Sequence, residues 1–138
     1  MIAYLDASVV LRLVLGEPNK LSEWKHVESA IASALTEVEC LRTLDRMGRL
    51  GALSESEVAD RCMAVYRLLE SVDVADVGRQ VLRRASEPFP TPLGTLDAIH
   101  LSTAMHWRDA HRAELTMATH HKALATAARS VGLTAIGA

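Results

Sequence analysis

Ile2-Ala3-Tyr4-Leu5-Asp6-Ala7-Ser8 opens the chain with an apolar run that stops at an acid, and the residues to about Leu15 continue with helical character. That order reads as strand, turn and helix, with Asp6 at the junction. The unit recurs. Ile31 to Leu35 is a second apolar run, Thr36 is a candidate N-cap, and Glu39 completes the capping-box spacing of a helix to about Met47. Leu115 to Thr119 reads as a strand, His121 to Val131 as a helix halted by Gly132, and Leu133 to Ile136 as a last strand. Runs apolar on both faces that alternate with helices imply a parallel sheet covered on each side. The expected fold is a three-layer α/β/α arrangement around a central, mainly parallel sheet of about four to five short strands.

The intervening segments fit the same plan. Gly16-Glu17-Pro18-Asn19 ends the first helix, and Lys20 to Glu28 carries Leu21, Trp24 and Val27 three apart, as one face of a short helix requires. Ser54 with Glu57 forms a second capping box, Val72-Asp73-Val74 suggests a brief strand, and Asp76 opens a helix toward Ala85. The stretch Glu87 to Gly94 holds three prolines and must be a loop, after which Thr95 caps a helix to about Trp107. Arg108 to Glu114 reads as a polar connection.

Composition bounds the function. The 138 residues are expected to form one domain over 1–138, since no stretch resembles a linker. At 49% hydrophobic residues there is enough apolar surface for a packed core, whereas 4% aromatic residues argue against bases stacked on aromatic platforms. A net charge of −2 supplies no overall basic field. Arg42, Arg46 and Arg49, and Arg79, Arg83 and Arg84, form local clusters that read first as solvated helix faces. Cys40 and Cys62 lie in apolar segments without CxxC spacing, which fits reduced buried thiols. The N-terminal residues lack the features of a secretory leader and no apolar run is long enough to span a bilayer, so a cytoplasmic protein is expected, with no membrane partner.

Three acids hold matching positions: Asp6 after the first strand, Glu37 at the second strand-to-helix junction, and Asp97 in the first turn of the helix after the proline loop. In open parallel sheets ligands bind beyond the carboxyl ends of the strands, so all three can face one cleft. Gathered carboxylates repel one another unless a cation neutralises them, and Mg²⁺ or Mn²⁺ takes oxygen donors of this kind. Taken singly, each acid also fits an ordinary first helical turn. Ser8, Thr36 and Thr95 adjoin the acids and either orient them or cap helices. His106, His111, His120 and His121 crowd one region, but the absence of HExxH or a cysteine partner disfavours zinc. His100, one turn after Asp97, reads as a packed core histidine. No Gly-rich phosphate loop, GxSxG elbow or DxD after the first strand points to another hydrolase class.

Taken in order, Ile2 to Ser8, Ser33-Ala34-Leu35-Thr36-Glu37-Val38-Glu39 and Thr95-Leu96-Asp97-Ala98-Ile99-His100-Leu101-Ser102-Thr103-Ala104 resemble PIN-domain nucleases, specifically the VapC toxins, over nearly the whole chain. The resemblance implies a PIN-like domain, a metal-dependent endoribonuclease acting on transfer or ribosomal RNA, a homodimer, and a cognate VapB-type antitoxin seated in the active-site groove. It makes Asp6, Glu37 and Asp97 the metal-site acids. On that reading Asp6 and Asp97 hold Mg²⁺ or Mn²⁺, Glu37 adds a ligand or orients water, and that water attacks the phosphodiester. The family also carries an Asp near the start of the penultimate helix, in a segment like Ala118 to Leu124. Here His121 stands in its place as a possible fourth ligand, which removes one negative charge and shifts preference from Mg²⁺ toward Mn²⁺. Asp109 and Glu114 are less suited, since neither follows a strand. The missing acid keeps a second reading open, a catalytically weakened or inactive PIN-fold protein that still binds an antitoxin or RNA.

Overall fold

The computed structural model describes residues 1–138. In chain order it contains β1 (Ile2–Leu5), α1 (Ala7–Leu15), a 3-10 turn (Ser22–His26), β2 (Ser29–Ser33), α2 (Ala34–Arg49), α3 (Glu55–Glu70), β3 (Asp73–Ala75), α4 (Arg79–Ala85), α5 (Thr95–His111), β4 (Thr116–Ala118), α6 (Lys122–Ser130) and β5 (Thr134–Ile136). The five strands form one sheet in the order β3-β2-β1-β4-β5, and every pairing is parallel. This is the expected three-layer α/β/α architecture. No helix is long and apolar enough to cross a membrane.

Strand alternation divides the core in two. Ala3, Leu5, Ala30, Ala32 and Ala118 face one side, where they pack with Val9 and Val10 of α1, Cys40 and Leu44 of α2 and Val65 of α3. Tyr4, Ile31 and Met117 face the other, against Leu101 and Ala104 of α5 and Leu124, Ala127 and Ala128 of α6. Leu101 is fully buried, so Leu101→Ala should lower unfolding stability by about 2–5 kcal/mol through lost transfer energy and the cavity left behind. Urea unfolding with an unchanged m-value checks this.

Several boundaries differ from those read in the sequence. The cap of α2 is Ser33, whose Oγ accepts the Leu35 N–H at 3.0 Å, and Thr36 lies inside the first turn. No capping box forms there, since the N3 residue behind Ser33 is Thr36 rather than an acid. At α5 the N-cap is Gly94 with no side-chain bond, and Thr95 is simply the first helical residue. The same helix runs on to His111, because Arg108 to His111 form a solvated turn of it rather than a loop. Its end is marked by Arg112 in the left-handed region at φ 49°. Lys20 to Glu28 yields only the 3-10 turn, whose period of three matches the spacing of Leu21, Trp24 and Val27 as well as a helix does. Helix α4 starts at Arg79 behind Gly78, not at Asp76. The capping box of Ser54 and Glu57 is present as read.

The sheet order sets the location of the site. From central β1 the chain moves outward through β2 and β3 on one side and occupies β4 and β5 on the other. The crevice between the carboxyl ends of β1 and β4 is therefore the switch point where parallel sheets bind ligands. Asp6 N–H donates to the Ala118 carbonyl at 3.2 Å and Thr119 N–H to the Ile136 carbonyl at 3.0 Å, so the ladder extends one residue into that crevice.

Candidate active site

Asp6 keeps extended backbone (φ −83°, ψ 173°), so strand alternation carries past Leu5 and turns its side chain toward the face Tyr4 occupies, the face covered by α5. It is 1% exposed and caps α1. Oδ1 accepts from Ser8 Oγ at 2.6 Å and Val9 N–H at 3.1 Å, and Oδ2 accepts from Thr119 Oγ1 at 2.5 Å. Buried charge is costly unless hydrogen-bonded and paired; three donors and the start of a helix supply part of that compensation. The two hydroxyls are themselves fixed, Ser8 by the His120 N–H and Thr119 by the His121 N–H, each at 3.0 Å. The turn after β4 thus locks Asp6.

Asp97 stands in the first turn of α5, where the helix dipole favours an ionised carboxylate. His121, the N-cap residue of α6, joins the two acids: its Nδ1 is 3.4 Å from Asp97 Oδ1 and 3.7 Å from Asp6 Oδ2. The histidine at the fourth position therefore faces both carboxylates.

Glu37 is not brought to this cluster. It is exposed and makes no hydrogen bond or ion pair, on the flank of α2 roughly 200° around the helix axis from Glu39. Glu39 lies on the side of α5, with Oε1 2.5 Å from His100 Nε2, while His100 Nδ1 is 2.8 Å from the Tyr4 hydroxyl. The negative charges of Asp6 and Glu39 reach both Tyr4 and Cys40 and disfavour their ionisation. Among the hydroxyls expected to orient acids, Ser8 contacts Asp6, Thr36 is buried with no partner, and Thr95 is exposed. Asp109 and Glu114 border a cavity with Thr116 and Thr134, the first residues of β4 and β5, at the opposite end of the sheet.

Sequence reading missed Thr119 and Glu39. Thr119 follows a strand, as Asp6 does, and that position was its signal. Glu39 was assigned to a capping box, and its partner His100 lies 61 residues away, beyond any local signal.

Burial pushes the Cys40 thiol up to about 12, and Glu39 and Asp6 add to the effect; burial likewise raises the Tyr4 hydroxyl. A raised native pKa means the folded state holds its proton where the unfolded chain releases it. Stability from this source is intact below the unfolded thiol value of about 8.5 and declines as pH rises toward 12. Cys40 should resist alkylation at pH 8 in native protein while half-buried Cys62 reacts, a difference that peptide mapping after iodoacetamide would read.

The donor chemistry suits a hard divalent cation: a buried, oriented carboxylate and a second one beside it, with Glu39 nearby. No three His, Cys, Asp or Glu side chains form a ready coordination cage, and the imidazole of His121 contacts both aspartates.

A parallel α/β sheet with acids at its switch point defines a class, and comparison gives the class its name. The chain belongs to the PIN-domain family, whose match spans residues 3–126. Within that family its similarity falls on VapC-type members. It is 34% identical over 104 residues to Ribonuclease VapC46 of Mycobacterium tuberculosis, covering 73% of this chain and 72% of that protein. It is 29% identical over 137 residues to Ribonuclease VapC47 of the same species, covering 94% and 91%. Among solved structures, PAE2754 from Pyrobaculum aerophilum superposes with a TM-score of 0.64 at 23% identity, over 98% of this chain and 83% of that one. VapBC2 from Rickettsia felis, bound to a promoter DNA fragment, and a toxin–antitoxin complex from Klebsiella pneumoniae each give 0.66, at 15% and 14% identity, over 99% and 98%. At those identities the superpositions speak for the fold.

Proposed function

We propose that this chain is the endoribonuclease toxin of a toxin–antitoxin pair, cutting RNA phosphodiesters with a Mg²⁺ or Mn²⁺ ion held by Asp6 and Asp97. The observation that carries the reading is the convergence of Asp6, Asp97 and His121 at the switch point. A bound ion would lower the pKa of its water and offset charge building on the phosphate. The rest falls to the chain. Ser8, Thr119 and the Val9 N–H fix Asp6 so that Oδ2 faces His121, which also contacts Asp97. Glu39, in place of Glu37, is the third carboxylate of this proposal, with one oxygen tied to His100 and its side chain 21% exposed. It orients the attacking water or adds an oxygen ligand.

The substrate side has support on α2, where Arg42 and Arg46 are exposed on the stripe that carries Glu39 and can meet phosphates flanking the cut. Transfer or ribosomal RNA is the proposed substrate. Val38 and Leu96, 57% and 50% exposed, are the sequence neighbours of Glu39 and Asp97, and these apolar side chains are the proposed contacts for a segment of a VapB-type antitoxin, on a homodimeric toxin. The curated relatives named as ribonucleases support the activity.

A second reading has its own observation: His121 already partners both aspartates, so the fold can persist without a cation, as a binding protein that no longer cuts. Incubation with total RNA in Mg²⁺, in Mn²⁺ and in EDTA separates the two. Ion-dependent fragments are expected. Intact RNA in every condition, with antitoxin still bound, favours the second reading.

A further inference from the structure

We infer that Tyr4 and His100 form a buried relay that positions Glu39 for the proposed site, with His100 fixed as the tautomer that donates from Nε2. The inference rests on the metal-site reading given above. Each element bearing a site acid contributes one member: Tyr4 lies two residues before Asp6 at the end of β1, His100 one turn after Asp97 on α5, and Glu39 is itself on α2. Tyr4 is 0% and His100 1% exposed, both sunk in the face of the core that packs on α5. A phenol and an imidazole inside an apolar cluster are costly unless each polar atom is satisfied, and apolar residues of similar volume would pack there at no loss. Packing alone therefore does not explain them.

The polar atoms are satisfied in one direction. Glu39 can only accept, so its contact at 2.5 Å requires a proton on His100 Nε2. In the neutral ring that leaves Nδ1 as an acceptor for the Tyr4 hydroxyl at 2.8 Å. The Tyr4 oxygen also lies beside the hydroxyls of Thr103 and of Ser33, the cap of α2. Held at Oε1, the Glu39 carboxylate loses rotamer freedom and keeps Oε2 free of protein hydrogen-bond partners. A partner that orients a ligating carboxylate in this way typically accounts for about 10–100-fold in metal affinity or activity.

The test uses the full-length protein with Mn²⁺ as probe, in wild type, His100→Leu, His100→Gln and Tyr4→Phe. Calorimetry gives the Mn²⁺ dissociation constant, cleavage of a labelled RNA gives kcat and KM, thermal unfolding in EDTA reports the fold, and ¹⁵N spectra of the imidazoles report the tautomer. His100→Leu should weaken Mn²⁺ by about 10–100-fold and lower kcat more than KM, while remaining folded in EDTA at the assay temperature. His100→Gln, whose amide nitrogen can donate at the same place, should recover most of that loss. Wild type should show Nε2–H at His100, and Tyr4→Phe, which leaves the Glu39 acceptor in place, should keep it. The relay is overturned if folded His100→Leu binds Mn²⁺ as wild type does, if Gln restores nothing, or if Nδ1 carries the proton. Should wild type itself bind no Mn²⁺, the metal site fails first, and the relay's role fails with it.

Discussion

Asp6→Asn should lose RNA cleavage by at least about 10²–10³-fold while remaining folded. Asn is as good an N-cap as Asp, and its carbonyl can still accept the Val9 N–H that Asp6 now binds at 3.1 Å, so α1 keeps its start. The charge does not survive. The amide nitrogen must face Ser8 or Thr119, both of which now donate to the carboxylate, so one hydroxyl has to turn and accept instead. That rearrangement costs about 1 kcal/mol of stability, a small change beside the loss of function. Removing a charge from the pair of acids withdraws the main attraction for a divalent ion. Rates on a labelled RNA at saturating Mn²⁺, with the melting temperature measured alongside, separate chemistry from folding. Asp6→Ala should do worse on both counts, adding the loss of a cap worth about 0.5–2 kcal/mol.

His121→Asp should act in opposite directions with and without metal. The new carboxylate replaces an imidazole whose Nδ1 is 3.4 Å from Asp97 and 3.7 Å from Asp6, so it joins two like charges. Because the His121 side chain is 56% exposed, solvent screens much of the repulsion, and a destabilisation on the order of 1 kcal/mol is expected in EDTA. Mg²⁺ then has three carboxylates to bind. At concentrations about 100 times the dissociation constant, binding to the native state alone adds about 2.7 kcal/mol, so the melting temperature should rise further with Mg²⁺ than that of wild type. Cleavage supported by Mg²⁺ should increase by about tenfold or more, on the scale by which partner groups alter metal sites. Melting curves across an Mg²⁺ titration, paired with cleavage rates, check both halves. His121→Ala removes the imidazole without adding charge and should show neither effect in full.

Much of the architecture was legible because it rests on periodicity and junctions. The run Ile2 to Leu5 ending at Asp6, and the apolar segment ending at Thr119, are strands whose last residues open into a crevice, and hydropathy alone reveals that. Asp97 and His121 could be read as neighbours only through family resemblance, since nothing local in either segment says that α5 and the turn after β4 converge. Glu37 against Glu39 shows where one-dimensional reading stops. Both acids lie in the first turns of one helix about 200° apart, and which of them meets α5 is set by tertiary packing through His100 rather than by any local signal. His100 looked like packing because its two partners are 96 and 61 residues away in sequence. The Arg108 to His111 segment was misjudged for another reason: composition describes solvation, and a solvated helical turn has the same composition as a loop.

Anomalous diffraction from crystals soaked in Mn²⁺ tests most directly whether these carboxylates share a cation. The account predicts a peak within about 2.1–2.6 Å of a carboxylate oxygen on Asp6 and another on Asp97, with the His121 ring either ligating the ion or swung aside. Crystals at saturating Mn²⁺ with no peak between these two residues, and with His121 still bridging them, would contradict it.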